Sequence, residues 1–234
     1  MSTLNVLCAG AAQAVTEKIV VQFERQTGHR VQVAYDAVNA LKAKLLEGAP
    51  ADAVILSAPL IEELIASGHL APGSRADLGK VGTGVAVKAG TPLPDVSNAE
   101  VLRGNILAAR RLYFPDPQRA TAGKVVMGVL DRLGITEELR GRFALHPNGY
   151  AAMKAMAASD GVLMMGITQV TEILANPGVK LVGALPGELA VVTTYSAGVV
   201  AATEDAAFAR EFVKRLTGFT AQPLLLAAGY QIGG

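Results

Sequence analysis

Residues 40–58 read ALKAKLLEGAPADAVILSA, and this stretch decides the fold class. Its first half carries Leu41 and Leu45 four residues apart, the spacing of a buried helix face, and Gly48 then stops the helix. The second half, ADAVILSA, is a continuous apolar run that predicts a buried strand. A helix that leads directly into a buried strand is typical of an α/β protein with a mainly parallel sheet.

The same alternation extends outward on both sides of this stretch. Upstream, LNVLCAG predicts a strand, AAQAVTEKIVVQFERQTG a helix that ends at Gly28, and HRVQVAY a second strand. Downstream, PLIEELIASGHL predicts a helix with Pro59 in its first turn. We therefore expect the first 80 or so residues to form one α/β lobe.

The alternation continues beyond residue 81 with longer loops. One strand is predicted at 82–90, and a short helix follows in SNAEVLRG with Ser97 as its cap. Another helix is predicted to begin in TQVTEIL, where Thr168 is read as the N-cap and Glu172 as its capping partner. The remaining segments repeat the pattern; the predicted strands are RRLYFPDP, VLMMGIT, VKLVGALP and AVVTTYSAGVVAA, and the predicted helices are TAGKVVMGVLDRLG, GYAAMKAMAASDG and EDAAFAREFVKRLTG.

Composition excludes several classes of protein. Lys and Arg number 21 against 20 Asp and Glu, so nucleic-acid binding, which needs clustered basic residues, is not expected. No apolar run reaches the roughly 18 residues of a membrane-spanning helix. Cys8 is the single cysteine and the three histidines are far apart, so neither a metal site nor a cofactor is predicted. The first residues of the sequence lack the pattern of an export signal, and we therefore expect a cytoplasmic location. The alternative is a periplasmic protein from which the signal has been removed.

Four stretches together resemble a known family. They are VLCAGAAQAV (6–15), ALKAKLLEGAPADAVILSA (40–58), YFPDPQRATAGKVVMGVLDRLGI (113–135) and TTYSAGVVAATED (193–205). With them the chain resembles the type II periplasmic-binding-protein fold, and within it the molybdate-binding-protein-like group. The resemblance implies two α/β lobes, 1–82 plus 197–234 and 83–196, joined by two hinge crossings. It also implies a ligand in the cleft between the lobes and hinge closure around it.

The resemblance implies a bound oxyanion held by serine hydroxyls and backbone N–H groups. The first serine position of the molybdate binders falls on or near Ala11, and the second falls on Val38 or Asn39, so both hydroxyls are missing. Helix starts after strands still offer N–H donors and a positive dipole end to an anion. We therefore expect a carboxylate rather than molybdate. The candidate ligand-binding residues are Gly10, Ala11, Gln13, Asn39, Ser57, Arg119, Thr121, Tyr150, Thr168 and Gln169.

Two functions remain open at this point. The segment GITQVTEIL followed by GVKLVGALPGEL resembles the aconitate-isomerase-like subset of the group, which implies an enzyme that moves a proton and a C=C bond in a di- or tricarboxylate. The residues alone leave its base open among Tyr35, Asp36, His146, Tyr150 and Glu172. The alternative is the solute receptor of an ABC transporter for an oxyanion or organic acid, which would have a permease partner only if it is exported.

Two simpler roles are also predicted, a buried apolar Cys8 and a turn at Asp116.

Overall fold

The structure is a computed structural model that describes residues 2–233. The chain divides into two compact units: unit 1 comprises the residues up to Val81 together with those from Thr193 onward, and unit 2 is Gly82–Val192. The sequence placed these divisions after residues 82 and 196. The second division falls four residues earlier, so that nearly all of the last strand belongs to unit 1.

Nine strands and ten α-helices are described between residues 2 and 233. The strands are β1 (Thr3–Ala9), β2 (Arg30–Asp36), β3 (Ala53–Ser57), β4 (Ala76–Lys88), β5 (Arg111–Pro115), β6 (Phe143–His146), β7 (Met164–Gln169), β8 (Val179–Ala184) and β9 (Val192–Val199). The helices are α1 (Gln13–Thr27), α2 (Val38–Leu46), α3 (Ala58–Ala66), α4 (Ala99–Ala108), α5 (Thr121–Arg132), α6 (Thr136–Leu139), α7 (Gly149–Ala158), α8 (Val170–Leu174), α9 (Ala206–Thr217) and α10 (Gln222–Ala227).

Unit 1 contains the strand order β2-β1-β3-β9. β1 pairs in parallel with β2 and β3, and β9 is antiparallel to β3. Each of the first three strands leads straight into a helix, so the three helix starts lie at one edge of the sheet. On one side α1 packs against α9, where the ring of Phe23 lies 5.3 Å from that of Phe212 and 5.1 Å from that of Phe208. This aromatic cluster ties the two chain segments of unit 1 together.

Unit 2 contains the order β8-β4-β7-β5-β6. β5 is parallel to both β6 and β7, whereas β4 is antiparallel to β7 and β8. The carboxyl ends of β5, β6 and β7 therefore share one edge, and α5, α7 and α8 begin there. One side of the sheet is filled by a cluster around Phe114 and Leu130, and the other by a cluster around Met153 and Met156.

The α/β class is confirmed, and several details differ from the prediction. Both sheets are mixed, because β4, β8 and β9 run antiparallel to their neighbours. β4 begins at Ala76 rather than residue 82, and α6, β6 and α10 were not predicted because each is short. The cap of α4 is Asn98, whose side chain accepts from the N–H of Val101, and not Ser97. Within residues 2–233, no helix combines the length and apolarity needed to cross a membrane.

Candidate functional site

Three neighbouring helix starts in unit 1 lack a side-chain cap. A short 3-10 turn, Gly10–Ala12, follows β1, α2 follows Ala37, and α3 follows Ser57; in none of them does a described side chain cap the helix start. Three other helices of the chain, α4, α7 and α9, are capped by the side chains of Asn98, Asn148 and Asp205. The first-turn N–H groups of unit 1 are thus left for another acceptor.

Gly10 and Ala11, two of the predicted ligand-binding residues, lie at the edge of the unit 1 sheet where these helices begin. Both are buried in the 3-10 turn, and the carbonyl of Ala11 accepts a hydrogen bond from the Tyr230 hydroxyl at 3.1 Å. Residues 9–12 carry no side chain larger than a methyl group, so their own side chains do not keep a ligand away from the backbone. Gln13 differs from the expectation, because its amide donates to the carboxylate of Glu17 at 2.9 Å on an exposed face of α1.

Two further predicted residues of unit 1 lie at the same edge. Ser57 is buried and is the last residue of β3, directly before α3. Asn39 is half-buried in the first turn of α2, where Ala37 occupies the cap position, so Asn39 does not cap the helix. Because β2, β1 and β3 are adjacent, the edge brings Gly10, Ala11, Asn39 and Ser57 into one region of unit 1.

Cys8 and Tyr35 lie on paired positions of β1 and β2. Cys8 is fully buried, as predicted, and its Sγ lies 3.4 Å from the Thr16 hydroxyl. Burial raises the pKa of the Cys8 thiol to about 12, and burial also raises the pKa of Tyr35. Neither group is ionised near pH 7, so neither is suited to act as a nucleophile or a general base.

A buried carboxyl group is the centre of the candidate site in unit 2. The Thr168 hydroxyl donates to Oε2 of Glu172 at 2.5 Å, and the backbone N–H groups of Gly149, Tyr150 and Gln169 donate to the same carboxyl. Only 4% of Glu172 is exposed. Burial raises the pKa of Glu172, and the four hydrogen bonds oppose that rise.

This cluster changes the predicted roles of several residues. Thr168 is not the N-cap of a helix, because it lies within β7 and its hydroxyl bonds to Glu172. The N–H groups of Gly149 and Tyr150 in the first turn of α7 are occupied by Glu172, and that of Ala151 by Asn148 at 2.8 Å. The expectation that every helix start at this edge offers free N–H donors is therefore wrong for α7.

The start of α5 is different, since none of the described residues caps it with a side chain. Thr121 is its first residue, and the exposed Arg119 lies two residues earlier in the turn that follows β5. That turn is organised by Asp116, whose carboxylate accepts from the N–H of Gln118 at 2.9 Å and whose carbonyl accepts from that of Ala120. The predicted turn role of Asp116 is confirmed.

Two residues at this edge carried little weight in the sequence and stand out in the structure. His146 ends β6, its ring stacks on Tyr113 with centroids 5.9 Å apart, and burial lowers its pKa. Thr83 is buried on β4 as the register partner of Gln169, and its hydroxyl has no hydrogen-bond partner among residues 2–233. A threonine between two glycines, as in GTG, was the one visible signal for Thr83, whereas His146 was named only as one of five candidate bases.

Comparisons with known proteins agree with this architecture. Residues 4–231 match a protein family described as bacterial extracellular solute-binding protein. The aconitate isomerase of a Pseudomonas species is 26% identical over 222 residues, which cover 92% of this chain and 82% of that protein. The molybdate-binding protein ModA of Azotobacter vinelandii is 26% identical over 232 residues, which cover 97% and 89%.

A solved structure extends the comparison to three dimensions. The periplasmic molybdate-binding protein of Azotobacter vinelandii matches with a TM-score of 0.83 and 26% identity, over 99% of this chain and 100% of that one. The predicted resemblance to the type II periplasmic-binding-protein fold and its molybdate-binding-like group is confirmed. The family is described as extracellular, which gives no support to the cytoplasmic location favoured by the sequence. Since the family match spans almost the whole chain, this protein belongs to the family of bacterial extracellular solute-binding proteins.

Proposed function

We propose that this protein binds a small organic anion, a di- or tricarboxylate, and moves a proton and a C=C bond within it. The observation that carries the binding part is the row of three helix starts at the carboxyl ends of β2, β1 and β3, none of which is capped by a described side chain. The position of the ligand between two lobes remains a prediction from the family resemblance.

Uncapped helix starts attract anions for two physical reasons. Their N–H groups need acceptors, and each helix dipole places a partial positive charge of roughly half an electron unit at that end. Neighbouring strands are about 4.8 Å apart, so three consecutive starts lie within roughly 10 Å of one another. That distance suits a small molecule with two or three carboxylates better than a single monovalent ion.

The side chains at this edge favour a carboxylate over molybdate. The family resemblance puts the oxyanion-binding hydroxyls of molybdate binders on or near Ala11 and on Val38 or Asn39, which have no hydroxyl. Gln13 is bonded to Glu17. Small residues leave the contact with the ligand to backbone donors, with Asn39 and Ser57 beside them. Within unit 2, Arg119 and Thr121 at the start of α5 supply a guanidinium and a hydroxyl, groups that also suit a carboxylate.

Isomerisation needs a base that is unprotonated and reachable near pH 7. Among the five candidates, Glu172 is enclosed and hydrogen-bonded on all sides, and Tyr35 has a raised pKa. Asp36 is held by Lys44 at 3.0 Å. His146 is half-buried with a lowered pKa, so it is mostly neutral at pH 7, and it lies at the carboxyl edge of its sheet. We assign the base role to His146, with Tyr150 as the remaining candidate.

The proposed reaction is a 1,3 proton shift. The base takes a proton from the CH₂ carbon beside the C=C bond, the double bond moves by one carbon, and the protonated base returns a proton to the former alkene carbon. No other bond forms or breaks. N–H donors stabilise the negative charge that develops on the adjacent carboxylate.

The test is a panel of ligands studied by calorimetry and NMR. We expect trans-aconitate and related unsaturated acids to bind more tightly than molybdate or sulfate, and to exchange hydrogen with deuterated water in the presence of the protein. His146→Gln is expected to lower the exchange rate by about 100-fold or more while the affinity changes little. In the intact protein, exchange should fall in acid, and only at a pH lower than an ordinary histidine would require, because burial lowers the pKa at which His146 takes up a proton. Lack of acid binding by the wild-type protein would overturn the proposal.

The second candidate is a transport receptor without turnover. The family description and the 26% identical molybdate-binding relative favour it. It predicts tight binding of one acid or oxyanion, no hydrogen exchange, and a permease partner. Tight binding of an acid by the wild-type protein, without hydrogen exchange, would establish this candidate instead.

A further inference from the structure

Glu172 is a buried acid that the proposed reaction does not use. Its carboxyl accepts from the Thr168 hydroxyl and from the N–H groups of Gly149, Tyr150 and Gln169. No lysine, arginine or histidine among residues 2–233 forms a salt bridge with it. Among the described residues, the carboxyl is therefore hydrogen-bonded only by a hydroxyl and by backbone N–H groups, as an anion is when it binds in a pocket of backbone N–H groups.

The donors come from two segments that are separated in the chain. Gly149 and Tyr150 begin α7, whereas Thr168 and Gln169 end β7, so the carboxyl joins the first turn of a helix to the end of a strand. The space for it exists because residue 149 is a glycine. A Cβ atom at this position would lie 1.9 Å from both Oε2 of Glu172 and Oγ1 of Thr168.

We infer that Glu172 is a positioning residue whose carboxyl fills, from within the chain, an anion pocket made by Gly149, Tyr150, Thr168 and Gln169. Its effect on solute rests on the proposed function: Tyr150 and Gln169, two candidate ligand-binding residues, are held by their own N–H groups on Glu172. The carboxyl does not touch solute, because its oxygens are enclosed and already hydrogen-bonded.

The pocket itself is tested by emptying it and refilling it from solution. In Glu172→Ala the donors lose their acceptor and a carboxyl-sized space opens, which sodium formate fits. We expect a lower Tm for this variant and a rise in Tm with formate well beyond any rise in the wild type. Asp205→Ala is the matched control, since it removes a carboxylate that caps the exposed start of α9 and leaves no enclosed space. An equal formate effect on the control and on Glu172→Ala would refute the pocket.

The positioning role is tested by affinity for whichever acid of the panel binds the wild type. We expect Glu172→Ala to weaken binding by about 10- to 100-fold, since displaced contact residues fit the ligand poorly, and formate to restore most of it. A merely structural role predicts that formate raises Tm without restoring affinity. Wild-type affinity in Glu172→Ala would also overturn the inference.

Two outcomes are kept apart by this design. If the wild type binds no acid, the proposed function fails, while the formate effect on Tm still decides whether the pocket exists. If Glu172→Ala folds only with formate present, its refolding yield replaces Tm as the measurement. Glu172→Gln is then the variant that can be studied in solution. Its amide fills the space but turns an NH₂ group toward the N–H donors. We therefore expect weaker solute binding, which formate does not restore.

Discussion

Replacing Gly149 by alanine tests the packing around Glu172 most directly. The new methyl carbon would lie 1.9 Å from Oε2 of Glu172 and from Oγ1 of Thr168, whereas carbon and its neighbours normally stay about 3.5 Å or more apart. Gly149 has helical geometry, so the requirement for glycine is one of space and not of backbone conformation. The methyl group can be accommodated only if the carboxyl moves away from its donors.

The expected cost has two parts. Forcing a methyl group into a filled site costs about 1–3 kcal/mol, and leaving buried donors without their acceptor costs about 1–3 kcal/mol more. The sum is about 2–6 kcal/mol in the free energy of unfolding, or roughly 4–24 °C in Tm for a chain of this size. Removing the carboxyl should relieve the clash with Oε2 and leave only the clash with Oγ1 of Thr168, so Gly149→Ala should cost less in a Glu172→Ala background.

Urea and thermal unfolding followed by circular dichroism measure these differences. Gly104→Ala is the control, because Gly104 is exposed within α4 and, apart from its own helix and chain neighbours, no described atom lies within 4 Å of a Cβ built there. Alanine is a better helix former, so this variant should be stabilised by about 0.5–1 kcal/mol. A Gly149→Ala protein whose stability lies within about 0.5 kcal/mol of the wild type would refute the reasoning.

Two further predictions concern the core and the buried acid. Phe212→Ala, which removes a fully buried ring, should cost about 3–5 kcal/mol, whereas Phe219→Ala, at a site 83% exposed, should change stability by less than about 0.5 kcal/mol in the same unfolding assay. Burial raises the pKa of Glu172 above its ordinary 4.5, so the folded protein holds its proton more tightly than the unfolded chain. The stability that comes from this bound proton is complete below pH 4.5 and is lost as the pH rises through the pKa of Glu172 in the folded protein. The stability of the wild type relative to Glu172→Gln should therefore fall as the pH rises from 4.5. A stability difference that does not change with pH would contradict this prediction.

The periodicity of the sequence predicted the elements whose pattern is local. The strands β1 to β3 and the helices α1 to α3 were found because each apolar run ends at a glycine or a turn signal. Helix α6 and strand β6 have four residues each, too few to show a period, and they were missed. The start of β4 was missed because the segment from Ala76 contains charged residues and few buried ones, so it lacks the apolar pattern of a strand.

The candidate site was less predictable, because its contacts join distant segments. Thr168 followed by Glu172 has the spacing of a capping pair, but the buried strand continues through Thr168 and Gln169, so the side chains meet in a different arrangement. The contact of Glu172 with Gly149 spans 23 positions and depends on how α7 packs against its sheet. Gln13 was expected to face a ligand, and only the structure shows that it is bonded to Glu17.

Unit 1 is discontinuous, and this has a consequence for biosynthesis. Its sheet lacks β9, and α1 lacks the aromatic partners on α9, until the segment from Thr193 onward leaves the ribosome. All of unit 2 emerges earlier. During that time β3 of the growing chain has an unpaired edge and Phe23 is uncovered, and both features promote aggregation. Chaperone dependence during synthesis should thus be set by the arrival of the C-terminal segment, and truncations within it should be far more harmful than their length suggests.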